Sequence, residues 1–152
     1  MQLVKVGEQF YQECKRQGTD KELLFNGSGR PCVLIVKLNY KGQKHKFVVP
    51  IRSNIAANAP KEQYFALPPN RATKSGNRHG VHYIKLFPIN SKYVQKYRIE
   101  NNEYMQKIKT ILDRNEKEIV EACQNYLNAC EQGQRNVMTP DIDGILSWLL
   151  KD

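Results

Sequence analysis

The apolar and polar positions divide the chain into short segments up to about residue 98 and long helical stripes beyond it. Residues 2–6 form a short β-prone start. Residues 7–17 place Phe10, Tyr11 and Cys14 at helical spacing, and Gly18 ends the turn. Residues 26–31, NGSGRP, form a loop of turn formers. Residues 32–40 are rich in Val, Ile and Leu, and residues 41–43 turn the chain into a returning strand at 44–51. The pair reads as an antiparallel hairpin, with Lys44, Lys46 and Val48 on one face and His45, Phe47 and Val49 on the other. Residues 63–67 predict a short strand ended by Pro68 and Pro69. The glycine- and arginine-containing loop NRATKSGNRHG follows at 70–80, then a strand at 81–87.

From Asn101 or Asn102 the period changes. Tyr104, Ile108, Ile111, Leu112, Ile119, Cys123, Tyr126, Leu127 and Cys130 mark one helical stripe, and Gly133 is its stop. A last helix opens with Thr139 as cap and Pro140 at the first position. Its buried face is Ile142, Ile145, Leu146, Leu149 and Leu150, with Trp148 beside it. The expected class is α+β: a basic antiparallel sheet covered on its apolar face by C-terminal helices, with the working surface on the loops and the open sheet face.

Charge sharpens this picture. The 152 residues carry a net +9, unevenly placed. Residues 1–29 balance four bases with four acids. Residues 30–98 hold fourteen bases against one acid, Glu62, and residues 99–152 hold six bases against ten acids. A concentrated positive segment attracts polyanions, and neutralised phosphates release counterions. This points to nucleic acid. A membrane surface fits less well, because the basic segment reads as strands and not as an amphipathic helix. No apolar run approaches the ~18 residues of a membrane helix. The first residues lack the pattern of a secretory signal, so a cytoplasmic protein is expected. The four cysteines form no CxxC pair and read as buried small hydrophobes.

No P-loop, GxSxG, HExxH or EF-hand is present. Two-metal nuclease chemistry needs clustered carboxylates, which the basic segment lacks, so neither a metal nor a cofactor is expected. Metal-free RNA cleavage needs less. The RNA 2′-hydroxyl attacks the neighbouring phosphate while side chains move protons and cations steady the phosphorane. The candidates are Ser53 with Arg52, Arg30, which hairpin geometry brings near residues 52–54, and His79, whose ring titrates nearest neutrality. Lys37, Lys44, Lys46, Asn54, Arg71, Lys74, Arg78, His82, Lys85 and Lys92 are candidates for holding RNA. Tyr64, Phe65, Tyr83 and Tyr93 could stack on bases or fill the core. His79 and His82 lack the carboxylate or cysteine neighbours of a metal site.

The segment VLIVKLNYKGQKHKFVVPIRSN resembles the toxins of type III toxin–antitoxin systems, the ToxN/AbiQ group, most of all its CptN branch. The likeness lies in the apolar strand, the turn at Gly42, the return HKFVVP and the polar step to Ser53. GVHYIKLFPI downstream and the helix at 102–131 fit as well. The resemblance implies one domain over 1–152 with a strongly bent antiparallel sheet, similar to the Kid/MazF barrel core. It implies metal-independent cleavage of single-stranded RNA, such as cellular mRNA, leaving a 2′,3′-cyclic phosphate. It also implies a role in phage defence. The implied partner is a repeat-encoded pseudoknot RNA antitoxin, cut by the toxin and held in a closed ring, a heterohexamer of three proteins and three RNAs. Neither membrane nor DNA is implied as a partner. Ser53 matches the family's active-site serine, and Arg30 stands where the family carries a lysine. The family's lysine two positions after the serine is here Ile55, and its loop tyrosine aligns near Phe25 or Asn26. The group that takes the 2′ proton therefore stays open among His79, Arg78 and Arg52. The alternative is a basic RNA-binding module without catalysis. DNA binding fits less well, because the basic part offers strands and loops instead of a recognition helix.

Overall fold

The structure, a computed structural model, describes residues 1–24 and 31–151. Its strands are β1 (Gln2–Val6), β2 (Cys32–Tyr40), β3 (Gln43–Ile55), β4 (Tyr64–Leu67), β5 (Arg78–His82), β6 (Phe87–Pro88) and β7 (Val94–Lys96). The helices are α1 (Glu8–Arg16), α2 (Glu103–Arg114), α3 (Glu116–Glu131) and α4 (Ile142–Leu149). The strands pair antiparallel in the order β4-β5-β3-β2-β1-β7, with β6 also on β3. The expected α+β class and antiparallel sheet are present. The barrel-like core is corrected to an open sheet: among the described residues β4 and β7 are its ends and do not pair with each other. No described helix is long and apolar enough to cross a membrane.

Strand β3, at 13 residues, is the spine. Its first part pairs with β2 from Gln43 to Pro50, and its last part pairs with β5 from Ile51 to Ile55. Two bulges interrupt it. Between Ile35 and Leu38, β2 carries one residue more than β3 does between Phe47 and His45. Between Arg52 and Ile55, β3 carries one residue more than β5 does between Gly80 and Arg78. An extra residue leaves the ladder, bends the strand and re-aims its side chains. The first bulge also resets the alternation, so Leu38 and Tyr40 return to the face of Val33 and Ile35.

Both sheet faces are covered, which corrects the expected open face. Leu3, Val33, Ile35, Phe47, Val49, Ile51 and Val81 pack under Met105, Ile108 and Leu112 of α2 and Ile119, Cys123 and Leu127 of α3. Val4, Cys32, Leu34 and Val48 point the other way, against Phe10 and Cys14 of α1 and Ile145, Trp148 and Leu149 of α4. The strand run Phe47, Val48 and Val49 is wholly buried for this reason: alternate side chains enter different cores.

Four local expectations change. The long helical stripe is two helices, because Asn115 ends α2 with its side-chain amide donating to Ile111 O at 2.8 Å and its backbone off helical geometry. The strand expected at 81–87 is broken by a buried 3₁₀ turn at Tyr83–Lys85. The last helix starts later than expected, capped by Asp141, whose carboxylate accepts from Gly144 N at 3.0 Å. Leu150, expected on the buried face of the last helix, is 66% exposed, and Val36 in the apolar strand is 58% exposed.

Candidate active site

The second bulge builds the candidate site. Ser53 and Asn54 together occupy the space opposite the single residue His79. Gly80, next along β5, pairs with both Arg52 and Ala66. A Cβ there would lie 2.3 Å from the carbonyl oxygen of Phe65, so only glycine lets β4 and β5 close at this point. The turn after β4 then brings residues 68–77 across the end of β5 to Ser53.

Three hydrogen bonds fix that turn to Asn54. Its side chain donates to Ala72 O at 2.8 Å and accepts from Lys74 N at 2.8 Å and from Asn77 Nδ2 at 3.2 Å. Asn54 is thus engaged by the protein and braces the loop. Asn70 Nδ2 donates to Ser53 Oγ at 2.9 Å. A hydroxyl that accepts in this way keeps its own proton free to donate. Asn70 is oriented in turn by Ala72 N and Thr73 Oγ1, which donate to its Oδ1 at 2.9 and 3.1 Å.

His79 is 5% exposed and lies on the α2 face of the sheet, two residues before Val81. Its Nδ1 lies 2.7 Å from Pro68 O and 2.9 Å from the Tyr104 hydroxyl, which itself donates to Pro68 O at 2.5 Å. A carbonyl can only accept, so Nδ1 carries the proton and Nε2 carries the ring's lone pair. The rings of His79 and Tyr104 stack at 6.2 Å. Burial, the largest cause, lowers the His79 pKa, and the bond to Pro68 O partly offsets it. The imidazole is therefore neutral at physiological pH. Beside it opens a groove of about 730 Å³ lined by Pro69, Asn70, Arg71, Ala72, Asn102 and Tyr104, with no carboxylate among them.

Arg52 and His82 lie on the opposite face. Arg52 Nη1 donates to His82 Nδ1 at 3.1 Å. His82 is 2% exposed, and its pKa falls to about 4 through burial first, then through Arg52 and Lys85. Burial also lowers the Arg52 pKa. Among the described residues no carboxylate pairs with Arg52, so its charge is uncompensated beside Ser53.

The structure thus brings Ser53 and His79 to one bulge and turns Arg52 away from His79. Arg30 lies outside the described residues, as do Phe25 and Asn26. Arg71 lines the groove, and Lys74 and Arg78 are exposed farther along the chain, with Arg78 Nη1 donating to Gly76 O at 3.1 Å. Lys37, Lys44 and Lys46 gather elsewhere, toward the other end of β3, and Lys92 is exposed with its ammonium over the Tyr93 ring. Two expected RNA-holding groups are corrected. Lys85 is 4% exposed, and its ammonium is held by Glu22 Oε2 and Glu22 O, each at 3.2 Å. His82 is buried under Arg52. The free nitrogen of His82, Nε2, is sealed from solvent, and the Lys85 ammonium is committed to Glu22, so neither reaches a strand. Tyr83 and Tyr93 are core residues, while Tyr64 and Phe65 are half-buried. Among the described residues no three His, Cys, Asp or Glu side chains gather as a metal-binding group. Sequence reasoning missed Asn70, the Pro68 carbonyl and Tyr104. Asn70 carried only a turn signal after Pro-Pro, and Tyr104 was hidden in the helical stripe.

No protein-family model matches the chain, and no curated protein matches it in sequence. Among the solved structures that share its fold are the following two. One, from work on a processed non-coding RNA that regulates a bacterial antiviral system, is 17% identical with a TM-score of 0.73, covering 100% of this chain and 96% of the other. The second comes from work on bacterial type III toxin–antitoxin systems and selective toxin inhibition by a non-coding RNA pseudoknot. It is 13% identical with a TM-score of 0.76, covering 99% of this chain and 96% of the other.

Proposed function

We propose that this protein is the endoribonuclease toxin of a type III toxin–antitoxin system, restrained by its own pseudoknot RNA and acting in the cytoplasm on single-stranded RNA. The observation that carries the reading is the β3 bulge, which sets a hydroxyl opposite a buried neutral imidazole in a cationic, carboxylate-free setting. The fold shared with RNA-regulated bacterial systems supports it.

In the proposed reaction, His79 Nε2 takes the proton of the RNA 2′-hydroxyl. O2′ bonds to phosphorus, and the bond from phosphorus to O5′ breaks. The products are a 2′,3′-cyclic phosphate and a 5′-hydroxyl, protonated from water at the open groove. Ser53 donates its free proton to a non-bridging oxygen, and Arg71 and Arg78 offset the phosphorane charge. Arg52 acts as a fixed positive charge one residue from Ser53. No step asks for a metal ion. The antitoxin RNA is processed by the same reaction and then held in a closed ring with the protein.

The test is RNA incubated with purified protein in EDTA, with the new ends analysed. Cyclic-phosphate ends are expected. Ser53→Ala and His79→Gln should each cut at least ~10²-fold more slowly. RNA that is bound yet stays intact through long incubation overturns the reading in favour of a non-catalytic RNA-binding module.

A further inference from the structure

The first bulge has produced a second cationic groove. Val36 and Lys37, the residues between the shifted pairs of β2, are both exposed beside Lys46 of β3. Lys37, Lys44 and Lys46 line a groove of about 300 Å³ together with Asn90 and Ser91. Its other wall is the C-terminal end of α4, including the exposed Leu150. Among the described residues no carboxylate lines it. Lys46 is held in place, with Nζ donating to Ser91 Oγ at 2.7 Å. Lys46 and Ser53 lie seven positions apart along β3, ~23 Å of extended strand at ~3.3 Å per residue.

Two properties identify the ligand. Lysines on a strand pair, without a carboxylate partner among the described residues, match the charges of a polynucleotide backbone. The apolar wall beside them suits the less polar faces of ribose and base. Ser53 lies too far along the strand for one nucleotide to reach both places. We infer that this groove is a separate anchoring site for the sugar-phosphate backbone of RNA, gripping a strand several nucleotides away from the bond that is cut. The inference rests on the proposed function only in taking RNA as the ligand.

The experiment measures binding of a 20-nucleotide 2′-O-methyl RNA, which cannot be cleaved, across a salt series. In parallel it measures cleavage of a tetranucleotide RNA. Lys37→Gln/Lys44→Gln/Lys46→Gln should bind the long RNA at least 10-fold more weakly, with the salt slope reduced by ~2, since each single-strand phosphate contact contributes ~0.7. Its cleavage of the tetranucleotide should stay within twofold of the parent. The control Lys107→Gln/Arg114→Gln/Lys117→Gln removes as many exposed charges from α2 and α3 and should leave the slope near the parent value. Equal loss in both variants, or unchanged binding in the first, overturns the inference. Should the triple variant fail to fold, Lys37→Gln alone decides it: a slope reduced by ~0.7 supports the site and an unchanged slope refutes it. If the parent protein binds RNA through this groove but cuts nothing, the proposed catalysis fails and the anchoring site stands.

Discussion

His82 makes the fold sensitive to acid, and the size of the effect follows from where it sits. The ring is 2% exposed between Arg52, bonded to its Nδ1, and the buried Lys85, whose charge Glu22 answers. Burial, Arg52 and Lys85 all oppose a second positive charge, lowering its pKa from 6.5 to about 4. The sign is fixed by linkage: between those two values the unfolded chain binds the proton and the folded chain does not. Stability is therefore whole above about pH 6.5 and is lost as pH falls toward 4. The full gap is worth roughly 3 kcal/mol at ~1.4 kcal/mol per pH unit, and about 2 kcal/mol has gone by pH 5. At this chain length that corresponds to a fall in Tm of about 4–8 °C. His79, also lowered by burial, adds in the same direction. Urea unfolding at pH 7.5, 6.5, 5.5 and 5.0 measures the loss before most carboxylates titrate. His82→Gln keeps an acceptor for Arg52 but cannot take up a proton, so its stability should fall much less across the same range. If the variant loses as much as the parent protein, the assignment of the acid limb to His82 is refuted.

Two further substitutions probe the site's frame. Gly80→Ala places a methyl group 2.3 Å from Phe65 O, so β4 must move off β5; a loss of about 2–4 kcal/mol is expected from overpacking and weakened ladder bonds. A Tm within 2 °C of the parent protein's would show that the contact relaxes freely, the threshold being about 1 kcal/mol. Tyr104→Phe keeps the ring against His79 and removes the hydroxyl that donates to Pro68 O. It should lose about 1 kcal/mol in urea unfolding. RNA cleavage should slow several-fold in kcat with KM unchanged, and an unaltered kcat would remove Tyr104 from the positioning of His79.

What the residues alone determined is the local order and the charge. The apolar period found β1, α1, the β2–β3 hairpin and the final helix, because these elements carry their own turn and cap signals. The excess of bases over acids between residues 30 and 98 singled out the segment that holds both cationic grooves. The bulges were not legible, since one added residue leaves a run such as VLIVKLNY looking like an ordinary strand. Nor was the split at Asn115, where the helical stripe runs on in register across the break. The fates of Lys85 and His82 were decided by packing alone: both read as cationic or titratable surface groups, and the 3₁₀ turn after β5 carried Lys85 into the interior beside Glu22. Tertiary structure likewise made His79 a buried neutral ring, because its partners, Pro68 O and Tyr104, are supplied by segments 11 and 25 residues away. Sequence spacing reports which groups are available. Which of them meet depends on strand register, and a single bulge changes that register.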